Sequence, residues 1–272
     1  MALPKKQSPY TFHHITVFIL TFISYSFFHA TRKTFSNVKS TISQEWSPSF
    51  HNKSVQEVKP DQIWNRRHMF QTAGDAEPFL GALDAAFMIS YAVGDFISGF
   101  VGDRLNMRYV LSFGMCTSAV MVFMFGCTIE WVHYYNMYLY MFIWIMNGLL
   151  QSTGWPTVVA IMANWFGHSS RGLVLGVWSS CASVGNIIGA FMVASVLDYG
   201  YDYAFLFTAS VLFAGGIINM FGLLTTPHEN SIKVSTRRRS PFSDLSGSTH
   251  KYLENRSMII MRYLTPSLYL AN

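Results

Sequence analysis

Six apolar stretches, each long enough to cross a bilayer as a helix, follow one another between residues 12 and 224. About 18 to 20 such residues span ~30 Å of hydrocarbon, so this succession leaves few folds open. The first, Phe12 to Ala30, has no Asp, Glu, Lys or Arg. The second, Phe79 to Val101, is interrupted only by Asp84 and Asp95. The third is Tyr109 to Ile129. The fourth lies inside the uncharged run from Trp131 to Ser170, and is placed at Met137 to Met162. The fifth runs from Leu173 to Leu197 and the sixth from Ala204 to Leu224. Only 12% of the 272 residues are charged, against about 25% in a soluble domain. An all-α, polytopic membrane protein with six transmembrane helices is expected.

The first stretch has a basic start, Lys5-Lys6, and a small residue at Ala30, as a signal peptide does. Its apolar part is longer than a signal core and no A-x-A site follows, so it reads as a retained helix. Short loops that carry Lys and Arg stay in the cytosol. Arg104 and Arg108 follow the second stretch, Arg171 the fourth, and Lys233 with Arg237-Arg238-Arg239 the sixth. The alternate loops, around Glu130–His133 and Asp198–Asp202, have no Lys or Arg. Both termini are therefore expected in the cytosol. Residues 34–78 form a lumenal loop on this scheme, with Asn52-Lys53-Ser54 as a glycosylation acceptor. Asn255-Arg256-Ser257 matches the same pattern but falls on the cytosolic side. Cys116, Cys127 and Cys181 all sit in apolar stretches, which gives neither a disulfide framework nor a metal site. The pI near 9.1 comes from basic residues flanking the membrane, with no aromatic–basic interleaving to suggest a nucleic-acid surface.

The helical rhythm does not stop at Arg32-Lys33. Tyr25, His29, Arg32 and Ser36 share one helix face, and Phe28, Phe35, Val38 and Ile42 recur past the arginine. A helix from Phe12 to Trp46 would be roughly 52 Å long. Two readings of Arg32 fit equally: an interfacial cation that snorkels, or a cation facing a water-filled cavity, where intramembrane charges mark a substrate path.

The loop "GFVGDRLNMR", Gly99 to Arg108, resembles the signature of the major facilitator superfamily. Gly99 is expected to allow close helix packing, Asp103 to accept from N–H groups at a helix start, and Asn106 to supply a left-handed turn. Arg104 and Arg108 are the basic members of the motif. In "NGLLQSTGWPTVV", Asn147, Gln151 and Trp155 share a face, and Pro156 breaks the backbone ladder. This fits either a cavity-lining interruption or a packing kink with its amides bonded to neighbouring helices. Gly176, Ser180, Gly185 and Gly189 are small residues that let helices approach.

Together "HATRKTFSNVKSTIS", "SYAVGDFISGFVGDRLNMRYVLSFGM", "NGLLQSTGWPTVVAIMANWFG" and "CASVGNIIGA" resemble the organophosphate:phosphate antiporters of that superfamily. Within them, the vertebrate sugar phosphate exchangers look nearest. The likeness covers about residues 10–226. It implies two six-helix halves that exchange an organic phosphate, such as a hexose phosphate, against inorganic phosphate by alternating access. It implies that Arg32 binds phosphate and that Tyr25 lines the cavity; His29, Lys33, Asn147 and Gln151, read from the sequence itself, are expected at the same site. An endomembrane, the endoplasmic reticulum or the lysosome, is the implied location.

Two positions depart from the family pattern. Asp95 stands where related bacterial members and the glucose-6-phosphate transporter have a lysine, and a carboxylate there repels phosphate. Asn164 stands where bacterial members have a cavity histidine.

The resemblance ends before a second six-helix half, which would supply a second arginine. Residues 227–272, polar and serine-rich, read as a mobile cytosolic tail; "SMIIMRYLTPSLYL" holds Arg262 and Pro266 and reads as no span. The expected fold is thus the N-terminal half of a major facilitator transporter, residues 1–226, built from two inverted three-helix repeats. With no partner half, Tyr25, Arg32, Asn147 and Gln151 would line a face turned to lipid. The expected partners are the phosphorylated substrate, inorganic phosphate, the bilayer, and a second half or a second copy. No H-E-x-x-H, G-x-S-x-G or phosphate-cradling loop occurs, so neither enzyme activity nor a cofactor nor a metal is expected. The alternative is an inactive or regulatory half-transporter that acts by binding partners.

Overall fold

The computed structural model describes residues 12–47, 69–166 and 171–226, and the described residues form helices joined by short connections. Five helical segments among them are long and apolar enough to cross a membrane. Helix α1, Phe12–Glu45, runs without a break for 34 residues, because its buried apolar face, Phe28, Phe35, Val38 and Ile42, continues on both sides of Arg32. The segment read as a loop over 34–78 is correspondingly shorter. α2, Ala73–Arg104, opens six residues before the expected Phe79, at a capping box between Thr72 and Asp75.

α3, Met107–Phe123, leads through a π-helical turn, Met124–Thr128, into the short α4, Ile129–Val132. Gly126 in that turn lies flat against the Phe205 ring.

The fourth expected span is divided into α5, Met137–Gln151, and α6, Gly154–Trp165, so neither part alone reaches the length of a span. Pro156 is the cause. It has no N–H to offer the Ser152 carbonyl one turn back. That carbonyl accepts instead from Ser98 Oγ on α2 at 3.0 Å. The backbone stays right-handed through Ser152 and Thr153, so the chain bends rather than turns back.

α7, Arg171–Trp178, and α8, Cys181–Val196, together form the fifth span. α9, Tyr201–Gly222, is the sixth.

The pairing of these segments has an internal symmetry. α1 packs on α8, α5 on α2, and α3 on α9. Exchanging the first three spans with the last three leaves this scheme unchanged, as two three-helix repeats require. Small residues sit at all three contacts. Gly185 and Gly189 of α8 lie against the α1 backbone at Ser26 and Ala30, Gly148 of α5 against Phe87 and Ser90 of α2, and Gly216 of α9 against Met115 and Cys116 of α3. Gly99 and Gly176, expected to do the same, have no neighbour within 4 Å of where a β-carbon would stand; the close approach on α2 is at Gly94, under Ser152.

The loop motif also differs in detail. Asp103 lies in the last turn of α2, not at a helix start, and Asn106 is extended (φ −67°, ψ 117°). Asn106 is the cap: its side chain accepts from the Arg108 N–H at 3.0 Å. The Arg104 guanidinium rests on the Phe100 ring, 4.1 Å from its centroid.

The interior has two apolar centres. One gathers Phe35, Val38, Ile42, Trp46, Phe125, Tyr140, Trp144 and Phe205. The other gathers Val17, Tyr25, Phe28, Leu111, Met115, Val158, Ile161 and Trp178. Trp131, Tyr134, Tyr138, Tyr199 and Tyr203 are exposed near the 129–138 and 197–203 connections, where aromatic side chains suit a membrane–water boundary.

Candidate functional site

Arg32 lies on α1 between the stretches that feed the two apolar centres. A charge in that position needs partners, and the kinked fourth span supplies one. Arg32 Nε donates to Gln151 Oε1 at 2.8 Å. Gln151 Nε2 in turn donates to Thr31 Oγ1 at 3.3 Å and to Asn147 Oδ1 at 3.4 Å. Ser118 Oγ of α3 donates to Asn147 Oδ1 at 2.7 Å. Gln151 and Asn147 are 0% and 1% exposed. The expectation of amides on a lipid-facing surface is therefore corrected: they are bonded to neighbouring helices, and the chain fixes their orientation through four bonds across α1, α3 and α5.

The other side of the guanidinium is aromatic. Its Cζ lies 4.2 Å from the Tyr91 centroid and 5.7 Å from the Phe87 centroid, both on α2. A cation over a desolvated ring face is held electrostatically. Tyr91 Oη is 3.5 Å from Tyr25 Oη. The Tyr25 ring then contacts His29 at 5.0 Å, Trp178 at 5.4 Å and Trp155 at 5.5 Å. At the other end of Arg32, Nη2 is buried and has no hydrogen-bond partner. Nearby Asp95, also half-buried, carries a buried Oδ1 with no partner either.

Of the residues singled out in the sequence, the structure brings Tyr25, His29, Arg32, Asn147 and Gln151 into one connected cluster. Lys33 is half-buried beside it but makes none of these contacts. Ser36 is exposed. Asn164 lies elsewhere: its Nδ2 donates to the Thr225 carbonyl at 3.4 Å, next to the Trp165 bond to Leu224. Asn52 lies outside the described residues, as do residues 227–272. The sequence reading missed Tyr91, Phe87, Ser118 and Trp178. Tyr91 stands one turn before Asp95, and that spacing is the only local signal it gives. Among the described residues, no group of His, Cys, Asp and Glu is arranged to hold a metal ion.

The sequence profile of the Major Facilitator Superfamily matches residues 17–271. Sugar phosphate exchanger 3 of Gallus gallus is 62% identical over 219 residues, which is 80% of this chain and 44% of that protein. The protein of the same name in Homo sapiens is 62% identical over 222 residues, 82% of this chain and 44% of its own length. Putative glycerol-3-phosphate transporter 5 of Arabidopsis thaliana is 39% identical over 220 residues, 81% of this chain and 42% of its own. The chain thus spans less than half the length of these relatives. Among solved structures, a bacterial homolog of the human lysosomal transporter Spinster, inward-facing and unoccupied, superposes with a TM-score of 0.57 at 14% identity, over 88% of this chain and 47% of its own. That likeness concerns the fold. The profile match runs over most of the chain and its apolar helices pair as two threes: this multi-pass membrane protein belongs to the Major Facilitator Superfamily.

Proposed function

We propose that the six-helix unit forms one half of a phosphate-linked antiporter, which exchanges an organic phosphate such as a hexose phosphate against inorganic phosphate by alternating access. The observation that carries this reading is the buried, unpartnered Nη2 of Arg32, on a guanidinium already held by Gln151 and Tyr91. Such a group is pre-aimed at an oxyanion, and guanidinium–phosphate bonds are short and charge-assisted. The relatives named for sugar phosphate exchange and glycerol 3-phosphate transport support the substrate class. Tyr25 and His29 flank the anion, Asn147 and Gln151 set the arginine, and Lys33 adds positive charge beside it. The unit acts as a transporter and not as an enzyme.

A closed path needs a second six-helix unit, whether from another chain or a second copy. In liposomes holding one copy of the 272-residue chain, labelled phosphate counterflow should be at background, and should recover when a second half is supplied. Robust counterflow by single copies would sink this requirement. A second reading, a half-transporter that acts by capturing partners, draws on the apolar rows left exposed on α2 (Met88, Phe96, Phe100) and α8 (Ile187, Phe191). Recovery of exchange separates the two readings, since a purely regulatory chain stays silent with either partner.

For topology, both termini face the cytosol of an endomembrane, endoplasmic reticulum or lysosome, and Asn52 carries the glycan. Endoglycosidase should shift the gel mobility of the wild type and leave Asn52→Gln unchanged. A tail reached only from the lumenal side would reverse this orientation.

A further inference from the structure

Two opposite charges share the Arg32 site without meeting. Tyr91, stacked on the guanidinium at 4.2 Å, stands one helical turn before Asp95, so both project from the same face of α2. Asp95 is within electrostatic reach of Arg32 and of Tyr25. Yet among the described residues the ion pair within 4 Å is Lys39–Asp84, not Arg32–Asp95. Instead each charge keeps a buried atom without a partner, Arg32 Nη2 on one side and Asp95 Oδ1 on the other. The Ser98 hydroxyl beside them is committed to two backbone carbonyls, Asp95 and Ser152, and not to the carboxylate.

Buried polar atoms are almost always paired, and an orphan marks a place where a partner is missing. A ligand that satisfies both must accept hydrogen bonds at one oxygen and donate from another. An oxyanion carrying an O–H does this. Inorganic phosphate has such a proton at neutral pH. A phosphate monoester offers one as its monoanion, or through a hydroxyl next to the ester. Sulfate has the same tetrahedral shape and a like charge but no O–H, so it meets the Asp95 carboxylate with only lone pairs and repulsion.

We infer that Asp95 is a specificity-determining residue that accepts a hydrogen bond from the bound anion and so admits O–H-bearing phosphates while rejecting fully deprotonated oxyanions. This rests on Arg32 being the phosphate ligand, and it gives the carboxylate at this position a use beyond repulsion. Asp95 then selects by the proton the ligand carries, and Arg32 by its charge.

Competition against labelled inorganic phosphate on the purified full chain tests it, with unlabelled phosphate and sulfate as competitors at fixed ionic strength. In the wild type, sulfate should compete at least about tenfold less well than phosphate, the scale of a hydrogen bond to a charged group set against a lone-pair clash. In Asp95→Asn, whose amide can donate, sulfate should approach phosphate. A wild type that binds both anions equally overturns the role of Asp95 and leaves Arg32 standing. The same is true of an Asp95→Asn protein that still rejects sulfate. A wild type that binds neither anion removes the phosphate reading and this inference with it. Should Asp95→Asn lose cooperative thermal unfolding, Asp95→Ser is read by the same ratio, and the wild-type ratio stands as a test by itself.

Discussion

Arg32→Ala should lower the affinity of the purified chain for inorganic phosphate by about a hundredfold. Hydrogen bonds to charged groups contribute about 1.5–3 kcal/mol each, and about 1.4 kcal/mol is a factor of ten, so losing a guanidinium that makes one or two such bonds reaches this size. Arg32→Lys is the sharper comparison. Lysine keeps the charge but has no planar fork, and its three N–H donors radiate from one nitrogen, so it cannot hold Gln151 and the anion in the geometry that the guanidinium fixes. Its affinity should fall between the alanine variant and the wild type. Gln151→Leu should move in the same direction by a smaller step, because it leaves the charge in place and removes the 2.8 Å bond that orients it. Trp155 and Trp178 ring the Tyr25 side of the cluster, so tryptophan fluorescence is a natural readout for the titration. Wild-type affinity in Arg32→Ala would return this residue to the class of cations that merely snorkel.

Gly189→Ala should destabilise the helix bundle, whereas Gly176→Ala should not, although both are glycines of the same span. A β-carbon at Gly189 would stand 2.6 Å from the Ala30 carbonyl oxygen and 2.8 Å from the Ala30 Cα. These are backbone atoms, so no side-chain rotation relieves the clash and α1 must move away from α8. Overpacking of this kind costs roughly 1–3 kcal/mol, and Gly189→Val should exceed it. At Gly176 nothing lies within 4 Å, and alanine is favoured over glycine in a helix by up to about 1 kcal/mol. Thermal unfolding in detergent, followed by circular dichroism, compares the pair. Equal midpoints would mean that α1 and α8 yield to a methyl group without cost, and the close backbone contact would lose its stabilising role.

What the sequence disclosed follows from how local the cause is. The continuation of α1 past Arg32 was legible because the apolar repeat through Phe35, Val38 and Ile42 outlasts a single charge. The break near Pro156 was legible because a missing N–H is covalent chemistry, carried by one residue. The bond from Arg32 to Gln151 was not, since 119 residues separate them and only the packing of α1 on the fourth span brings them together. Gly94 and Gly99 illustrate a second limit. Both are glycines of one helix, and periodicity gives no rule for which of them meets a neighbour. Asp103 and Asn106 are equally able to cap, so their assignment depended on where α2 ends, and helix ends are the least determined feature of a sequence. Tyr91 was missed because an aromatic residue in an aromatic-rich span carries no mark of being the one that meets a cation.

The Ser98–Ser152 bond bears on mechanics. Along most of the bundle each backbone carbonyl is tied within its own helix, and glycine contacts clamp neighbouring helices backbone to backbone. The π-helical turn at Met124–Thr128 and the break between α7 and α8 interrupt this pattern, and so does Ser152, a soft joint where the tie passes through a rotatable hydroxyl on α2. Gln151 sits on one side of that joint and Trp155 on the other. A flex of the fourth span there would move Gln151, the anchor of the arginine, relative to Trp155, the ring beside Tyr25, and would reshape the proposed anion site.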